Sequence, residues 1–249
     1  MTGRLPDQPV GLPVSLQNWE SLTFLHWAIR PEVVQRLLPD GLEVDSFDGD
    51  AWVGVTPFRM RDVRAGALPP VPLLSVFAEV NLRTYVRARD GTSGLWFFSL
   101  ECPRLAVVLA LRAFAVPYRW ADVEMVDGAD RYEYRSRRRD AQMRAVVTVG
   151  ESVEADERLD FLTGRWSAYT HRWGRLWRVP VEHEPWPLHQ AEAHVAVGSL
   201  LAAAGLPTVR EPPLVHFSPG VHSRIGAPRP VPAPRVSRRW KPPSMSRNV

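Results

Sequence analysis

Val76-Phe77-Ala78-Glu79-Val80-Asn81-Leu82-Arg83-Thr84-Tyr85-Val86 is the stretch whose reading decides the fold. In an extended chain alternate side chains share a face. One face is then Val76, Ala78, Val80, Leu82, Thr84 and Val86, a plain core surface. The other carries Phe77, Glu79, Asn81, Arg83 and Tyr85, which bring an acid, an amide, a guanidinium and a phenol to one side. Two readings follow. A half-buried strand would show that second face to water. A strand in the wall of a barrel would turn it into the lumen, where such a set binds a small polar ligand. An ordinary wet β face is richer in Thr, Lys and Ser, which favours the lumen. Residues 95–102 follow the turn cluster Asp90-Gly91-Thr92-Ser93-Gly94 and read as the hairpin partner. They add Ser99 and Glu101, among the aromatics Trp96, Phe97 and Phe98.

Outward from this hairpin the pattern stays mainly β. Residues 51–63, 118–125, 131–138, 141–149, 177–182 and 213–217 read as strands. Helices are expected at 31–38, 104–115, 155–163 and 195–204, the first two opening beside a proline. The segment 104–115 is apolar around most of its circumference, which predicts a largely buried helix. Many strands, frequent turns and few helices predict a mainly β (α+β) fold, an antiparallel β-barrel-like core with peripheral helices. Its expected extent is residues 17–223, after a loose segment 1–16. Residues 224–249 are proline-rich and basic and read as a disordered tail.

Lysine is missing from everything before that tail: the one lysine is Lys241. Lysine chemistry is therefore excluded from the expected folded part. The tail also explains the net charge of +4. It holds six Arg, one Lys and no acid, which leaves 24 basic residues against all 27 acids before it. A nucleic-acid-binding domain carries its own basic face, so no nucleic-acid partner is expected. The run 132–139 mixes two tyrosines with arginines like a single-strand platform, but reads as a solvated strand paired with acids. A single cysteine, Cys102, excludes an internal disulfide, and it reads as structural. No apolar run approaches the ~20 residues of a membrane span, and residues 1–16 do not read as a signal peptide. A cytoplasmic protein without a membrane partner is expected.

Other candidates carry less. His183, Glu184, His189 and His194 cluster in sequence, yet their spacing is not a metal-binding helical pair, and Pro185 and Pro187 interrupt them. No metal and no cofactor are expected. His26, between Leu25 and Trp27, reads as a hydrogen-bonded core histidine with a catalytic role as the alternative. Trp166, Trp173, Trp177 and Trp186 read as packing of the core and of a lid.

Several motifs follow one another along the chain: Phe24-Leu25-His26-Trp27, Leu37-Leu38-Pro39-Asp40-Gly41-Leu42, Phe47-Asp48-Gly49 and Pro57-Phe58-Arg59-Met60. Glu79 to Val86, Trp96-Phe97-Phe98-Ser99-Leu100, Pro185-Trp186-Pro187-Leu188 and His216-Phe217-Ser218-Pro219-Gly220-Val221 continue the series. In this order they resemble the YqjF-like family of bacterial proteins. The resemblance implies a fold of the acetoacetate decarboxylase type with a buried site. Such a decarboxylase forms a Schiff base on a lysine beside a second lysine. The comparable stretch here resembles Glu101-Cys102-Pro103-Arg104-Leu105-Ala106, and Arg104 stays protonated, so it is no amine nucleophile. Glu79 resembles the decarboxylase's active-site glutamate.

Two functions stay open. The first is a non-Schiff-base lyase, hydratase or isomerase acting on a small carboxylate or carbonyl compound. In it Glu79 serves as general acid or base, Tyr85 and Asn81 orient a carbonyl, Arg83 holds a carboxylate, and Ser99 and Glu101 extend the site. The second is a non-catalytic module that binds a small anion or metabolite, or is purely structural. Arg83, if it is a buried cation, needs a partner, for which Glu79 or Glu101 is the expected carboxylate.

Overall fold

The computed structural model describes residues 5–6, 9–71 and 75–232. Its strands are β1 (Ser15–Ile29), β2 (Leu42–Val44), β3 (Ser46–Phe47), β4 (Asp50–Ala65), β5 (Phe77–Ala88), β6 (Ser93–Cys102), β7 (Tyr118–Trp120), β8 (Asp122–Asp127), β9 (Arg131–Arg138) and β10 (Ala141–Ser152). They continue as β11 (Ser167–Arg172), β12 (Arg175–His183), β13 (His189–Ala196), β14 (Leu214–Ile225) and β15 (Arg229–Pro230). Four short helices intervene: α1 (Pro31–Gln35), α2 (Leu105–Arg112), α3 (Glu157–Thr163) and α4 (Gly198–Ala202). None is long and apolar enough to cross a membrane.

Hydrogen bonding runs β12–β11–β6–β5–β4–β1–β14, and β12 pairs with β14 again through Val181 and Ile225. The strands thus close into a ring, the barrel-like core expected from the sequence. The ring is of mixed type rather than wholly antiparallel, because β6 pairs in parallel with both β11 and β7. From β14 a wing of β13, β10, β9 and β8 curls back so that β8 packs against β5 and β6.

This wing is why β5 has no wet face. Val80 and Leu82 point outward from the ring into a core with Leu25, Val53, Val55, Tyr134, Met143 and Val147. Each such fully buried aliphatic side chain contributes roughly 1.5–3 kcal/mol. The opposite face of β5, with Glu79, Asn81, Arg83 and Tyr85, is buried as well. It looks into the ring: Arg83 on β5 lies close enough to His183 on β12, on the far side of the ring, to act on its charge state. Of the expected outer-core residues only Val76 departs; it precedes β5 and is 38% exposed.

Three further expectations need correction. The helix α2 does not bury its circumference: Leu105 and Leu109 are exposed, as is Phe114 beyond its end, and only Val108 is buried. A helix this short on the outside of a closed ring has one neighbouring surface to lie on, here β6 and β7. Part of the expected loose N-terminal segment is tied down: β1 starts at Ser15, and Val10 donates its N–H to the Glu182 carboxylate. The start of the expected tail also joins the sheet: Arg224 and Ile225 finish β14, Arg229 and Pro230 pair with Arg178 and Trp177, and Arg224 donates to the carbonyls of Val10 and Gly11. Ring closure gives Arg224, Ile225, Arg229 and Pro230 backbone partners on β12, which composition does not reveal. The remainder of the tail, 233–249, lies outside the described residues.

β1 also required long-range information. It is a 15-residue strand that bends at Ser21 (φ 48°) while it pairs with both β4 and β14. The bend presses Trp19 and Glu20 onto Gly220, where φ is +140° and a Cβ would stand 2.1 Å from the Trp19 carbonyl oxygen. Gly220→Ala should therefore destabilise by roughly 3 kcal/mol or more. Gly198→Ala, in the first turn of α4 with open space around it, should change stability by less than about 1 kcal/mol. Urea midpoints of the two variants check the contrast.

Candidate functional site

The inward face is built on one row across three strands. His26 on β1, Gly54 on β4 and Arg83 on β5 are direct neighbours in register. Gly54 leaves the space both large neighbours use: a Cβ there would lie 3.0 Å from His26 Cδ2, 3.2 Å from its Nε2 and 3.5 Å from Arg83 Cγ. The next rows along the same face pair Thr56 with Asn81 and Phe58 with Glu79. Phe24 on β1 lies under Arg83, its ring centroid 5.4 Å from the guanidinium carbon.

Around this row the side chains fall into two clusters. At one end Glu79 is buried with Cys102 and Tyr118, whose hydroxyl donates to Glu79 Oε2 at 2.9 Å. Burial pushes the Glu79 carboxyl up to about 8, against the opposing pull of the Tyr118 bond. Glu79 is accordingly protonated at neutral pH. Burial and the neighbouring Glu79 push the Cys102 thiol up to about 12, which makes it a poor nucleophile. At the other end Tyr85 is fully buried against Phe161 and Leu162. Its hydroxyl lies 2.7 Å from the Leu162 carbonyl oxygen and 2.6 Å from His26 Nε2. Arg165 stacks over Phe161 and Tyr85 and bonds Asp45 at 3.2 Å.

Arg83 stands between the clusters, 8% exposed, and among the described residues it has no carboxylate within ion-pair distance. The expected partners are committed elsewhere: Glu79 to Tyr118, and Glu101 to Arg138 at 3.0 Å. The expectation of a carboxylate partner for Arg83 is thus corrected. The register explains Glu101. A bulge between Leu82 and Arg83 shifts the pairing of β5 with β6, so Glu101 stands opposite Val80 and Ser99 opposite Leu82. Both therefore project to the outer face, toward the wing, while Phe97 and Leu95 join the inward one. Of the six residues singled out in the sequence, Glu79, Asn81, Arg83 and Tyr85 come together, and Ser99 and Glu101 do not.

Several polar atoms on the inward face are buried without a hydrogen-bond partner among the described residues: His26 Nδ1, Thr56 Oγ1, Asn81 Oδ1 and Arg83 Nε. Buried polar groups are ordinarily paired, so these four atoms are exceptions on one face of the sheet. Beyond Phe24 lies an aromatic layer of Trp186, His183, Trp166 and Trp19, with Phe24 and Trp186 edge to face at 5.2 Å. Trp166 and Trp186 are also walls of a cleft of about 280 Å³ that Asp160, Thr163 and Leu188 complete. The cleft and Arg83 are thus separated by Trp186 and Phe24.

His26 is the hydrogen-bonded core histidine that the sequence suggests, bonded to Tyr85, whereas Gly54 and Thr56 were not singled out there. A glycine in mid-strand is a sign of close approach, and this one could have been read so. The other candidates sit apart from the site. Arg104 donates to the Val76 carbonyl at the head of β5. His189 and His194 lie on β13, and no group of metal-holding side chains occurs among the described residues. The arginines of β9 face acids: Arg135 meets Glu133, Arg137 meets Asp122, and Arg138 meets Glu101.

Residues 16–222 match the family DUF2071, described as an uncharacterized conserved protein. Over 229 residues the chain is 34% identical to the uncharacterized protein YqjF of Bacillus subtilis, covering 88% of this chain and 94% of that protein. Solved structures share the fold at lower identity. An acetoacetate decarboxylase-like enzyme from Sphingomonas wittichii has a TM-score of 0.65 at 16% identity, covering 88% of this chain and 93% of the other. Acetoacetate decarboxylase from Legionella pneumophila has 0.65 at 13%, covering 91% and 92%. The enduracididine biosynthesis enzyme MppR, complexed with pyruvate, has 0.63 at 13%, covering 90% and 93%.

The raised Glu79 carboxyl makes a linkage prediction. The unfolded state loses this proton near pH 4.5 and the folded state keeps it to about pH 8. The associated stability is therefore fully present below pH 4.5 and is lost as pH rises through 8. Glu79→Gln removes the titration. The stability of the natural protein relative to this variant should fall by a few kcal/mol between pH 5 and pH 8, measured by urea denaturation at each pH.

Proposed function

The chain belongs to the DUF2071 family and carries an acetoacetate decarboxylase-like fold, and we propose that it binds a small carboxylate or carbonyl compound on the inward face of β5 and acts on it without a Schiff base. The carrying observation is Arg83: a buried guanidinium with no carboxylate partner among the described residues. An unpaired buried cation is costly to the fold, and a ligand carboxylate supplies the missing charge through charge-assisted hydrogen bonds. That MppR is complexed with pyruvate in a related fold makes a 2-oxo acid the reasonable first ligand.

The remaining groups take roles suited to their states. Glu79 carries a proton at neutral pH and serves as general acid. Asn81, with an unpartnered amide oxygen, orients the ligand. Tyr85 donates its hydroxyl hydrogen bond to the Leu162 carbonyl, so it positions neighbours rather than donating to the ligand. A lyase, hydratase or isomerase reaction on a carbonyl compound fits this set, because an acid, a cation and a polar amide are what an enolate or alkoxide needs.

Two measurements test the reading. Arg83→Met keeps most of the stem volume and removes the charge. Pyruvate binding, followed by calorimetry or ligand-observed NMR, should weaken at least about tenfold, while the urea midpoint stays level or rises, since a costly buried cation is gone. A clear loss of stability with binding intact would place Arg83 in the framework instead. Borohydride reduction in the presence of pyruvate should leave no adduct within residues 16–222, which contain no lysine.

A further inference from the structure

Acids slightly outnumber bases before the tail, yet one face of the protein is free of them. Residues 103–121 and 161–181 contain no Asp or Glu. The fold brings these two stretches together. Thr170 on β11 donates to the Ala115 carbonyl beyond α2. The Arg172 guanidinium carbon lies 5.8 Å from the Phe114 ring centroid and 3.7 Å from that of Trp173. Leu105 and Leu109 continue the apolar surface along the outer side of α2, where Ala106, Ala110 and Ala113 are exposed as well. Arg112 at the end of α2 and Arg172 and Arg175 on the hairpin border this surface. None of the three forms an ion pair among the described residues.

Folding does not account for Trp173. With Gly174 it forms the two-residue turn between β11 and β12, at φ of 52° and 69°. Such a turn favours Asn or Asp before Gly, and a bulky residue in the left-handed region is costly. The residue is 75% exposed, so core packing does not offset that cost. More positive charge converges on the same place. The described chain stops at Pro232, in a cleft that Gly174 and Arg175 also line. Beyond it the sequence adds Arg235, Arg238, Arg239, Lys241 and Arg247, again with no acid.

We propose that this face docks on the surface of an anionic lipid bilayer. Trp173, Phe114 and the outer leucines of α2 enter the headgroup boundary, and the arginines meet the lipid phosphates. A hairpin tip and the outside of a helix protrude, which suits entry into a soft layer, whereas a partner helix calls for a groove. A second copy of the chain would set one acid-free rim against another, and like charges oppose that pairing. The missing membrane span led to the expectation of no membrane partner, but a surface that lies on a bilayer needs no span. The proposal is independent of the inward face of β5.

The test sediments the full chain with vesicles of phosphatidylcholine alone and of phosphatidylcholine mixed with phosphatidylglycerol. The protein should bind the anionic vesicles, less so as salt rises, and leave the neutral ones unbound. Trp173→Asn suits the turn, so its urea midpoint should stay level or rise. Its binding to anionic vesicles should weaken at least about tenfold. Arg112→Gln combined with Arg175→Gln leaves the turn untouched and should weaken binding several-fold. Failure of the natural protein to bind anionic vesicles overturns the proposal. So does binding that Trp173→Asn leaves intact, which would assign it to the basic residues past Pro232. Binding of poly-glutamate that Trp173→Asn abolishes, without vesicle binding, would give the face to an acidic polypeptide and overturn the lipid assignment.

Discussion

The structure turns on the burial of Arg83. β5 lies in the wall of a closed ring, and the ring is backed by a wing of four strands, so neither face of β5 meets water. A strand in that position ordinarily carries apolar side chains on both sides. This one carries a carboxyl, an amide, a guanidinium and a phenol on its inward side. The surroundings compensate two of them: Tyr118 bonds Glu79, which keeps its proton, and Leu162 and His26 bond Tyr85, while Asn81 Oδ1 has no partner among the described residues. The guanidinium cannot shed its charge. It rests on the Phe24 ring, and that contact offers a cation only part of what a carboxylate would.

Much of this was legible in the residues. The alternation of 76–86 gave the strand, and the improbable chemistry of its second face gave the lumen, because composition distinguishes a wet β surface from a polar interior. Missing lysine excluded one chemistry outright. What stayed hidden depended on pairing between distant segments. A one-residue bulge after Leu82 sends Ser99 and Glu101 to the far side of the sheet, and strand alternation within β6 alone cannot reveal the shift. β1 was invisible as a strand because its bend at Ser21 breaks the period of two. β15 forms because β12 offers it an edge, not because its sequence favours extension.

His26 illustrates the same limit from the functional side. Between Leu25 and Trp27 it looks like a core residue, and its burial agrees with that description. Its setting comes from three segments far apart in the chain: Gly54, which makes room for the ring; Tyr85, whose hydroxyl meets Nε2; and the end of α3, whose Leu162 carbonyl accepts from the phenol. A chain of two hydrogen bonds therefore holds the ring, and one glycine decides whether it fits.

The distribution of amines has a practical side. Lys241 is the sole side-chain amine, nine residues past Pro232, where the described chain stops. Coupling reagents that attack such amines therefore find no side-chain target anywhere in the ring or its wing. A protein tethered to a sensor surface through position 241 presents its ring chemically unaltered and in a uniform attachment, which suits the detection of small, weakly held anions whose signals random coupling would blur.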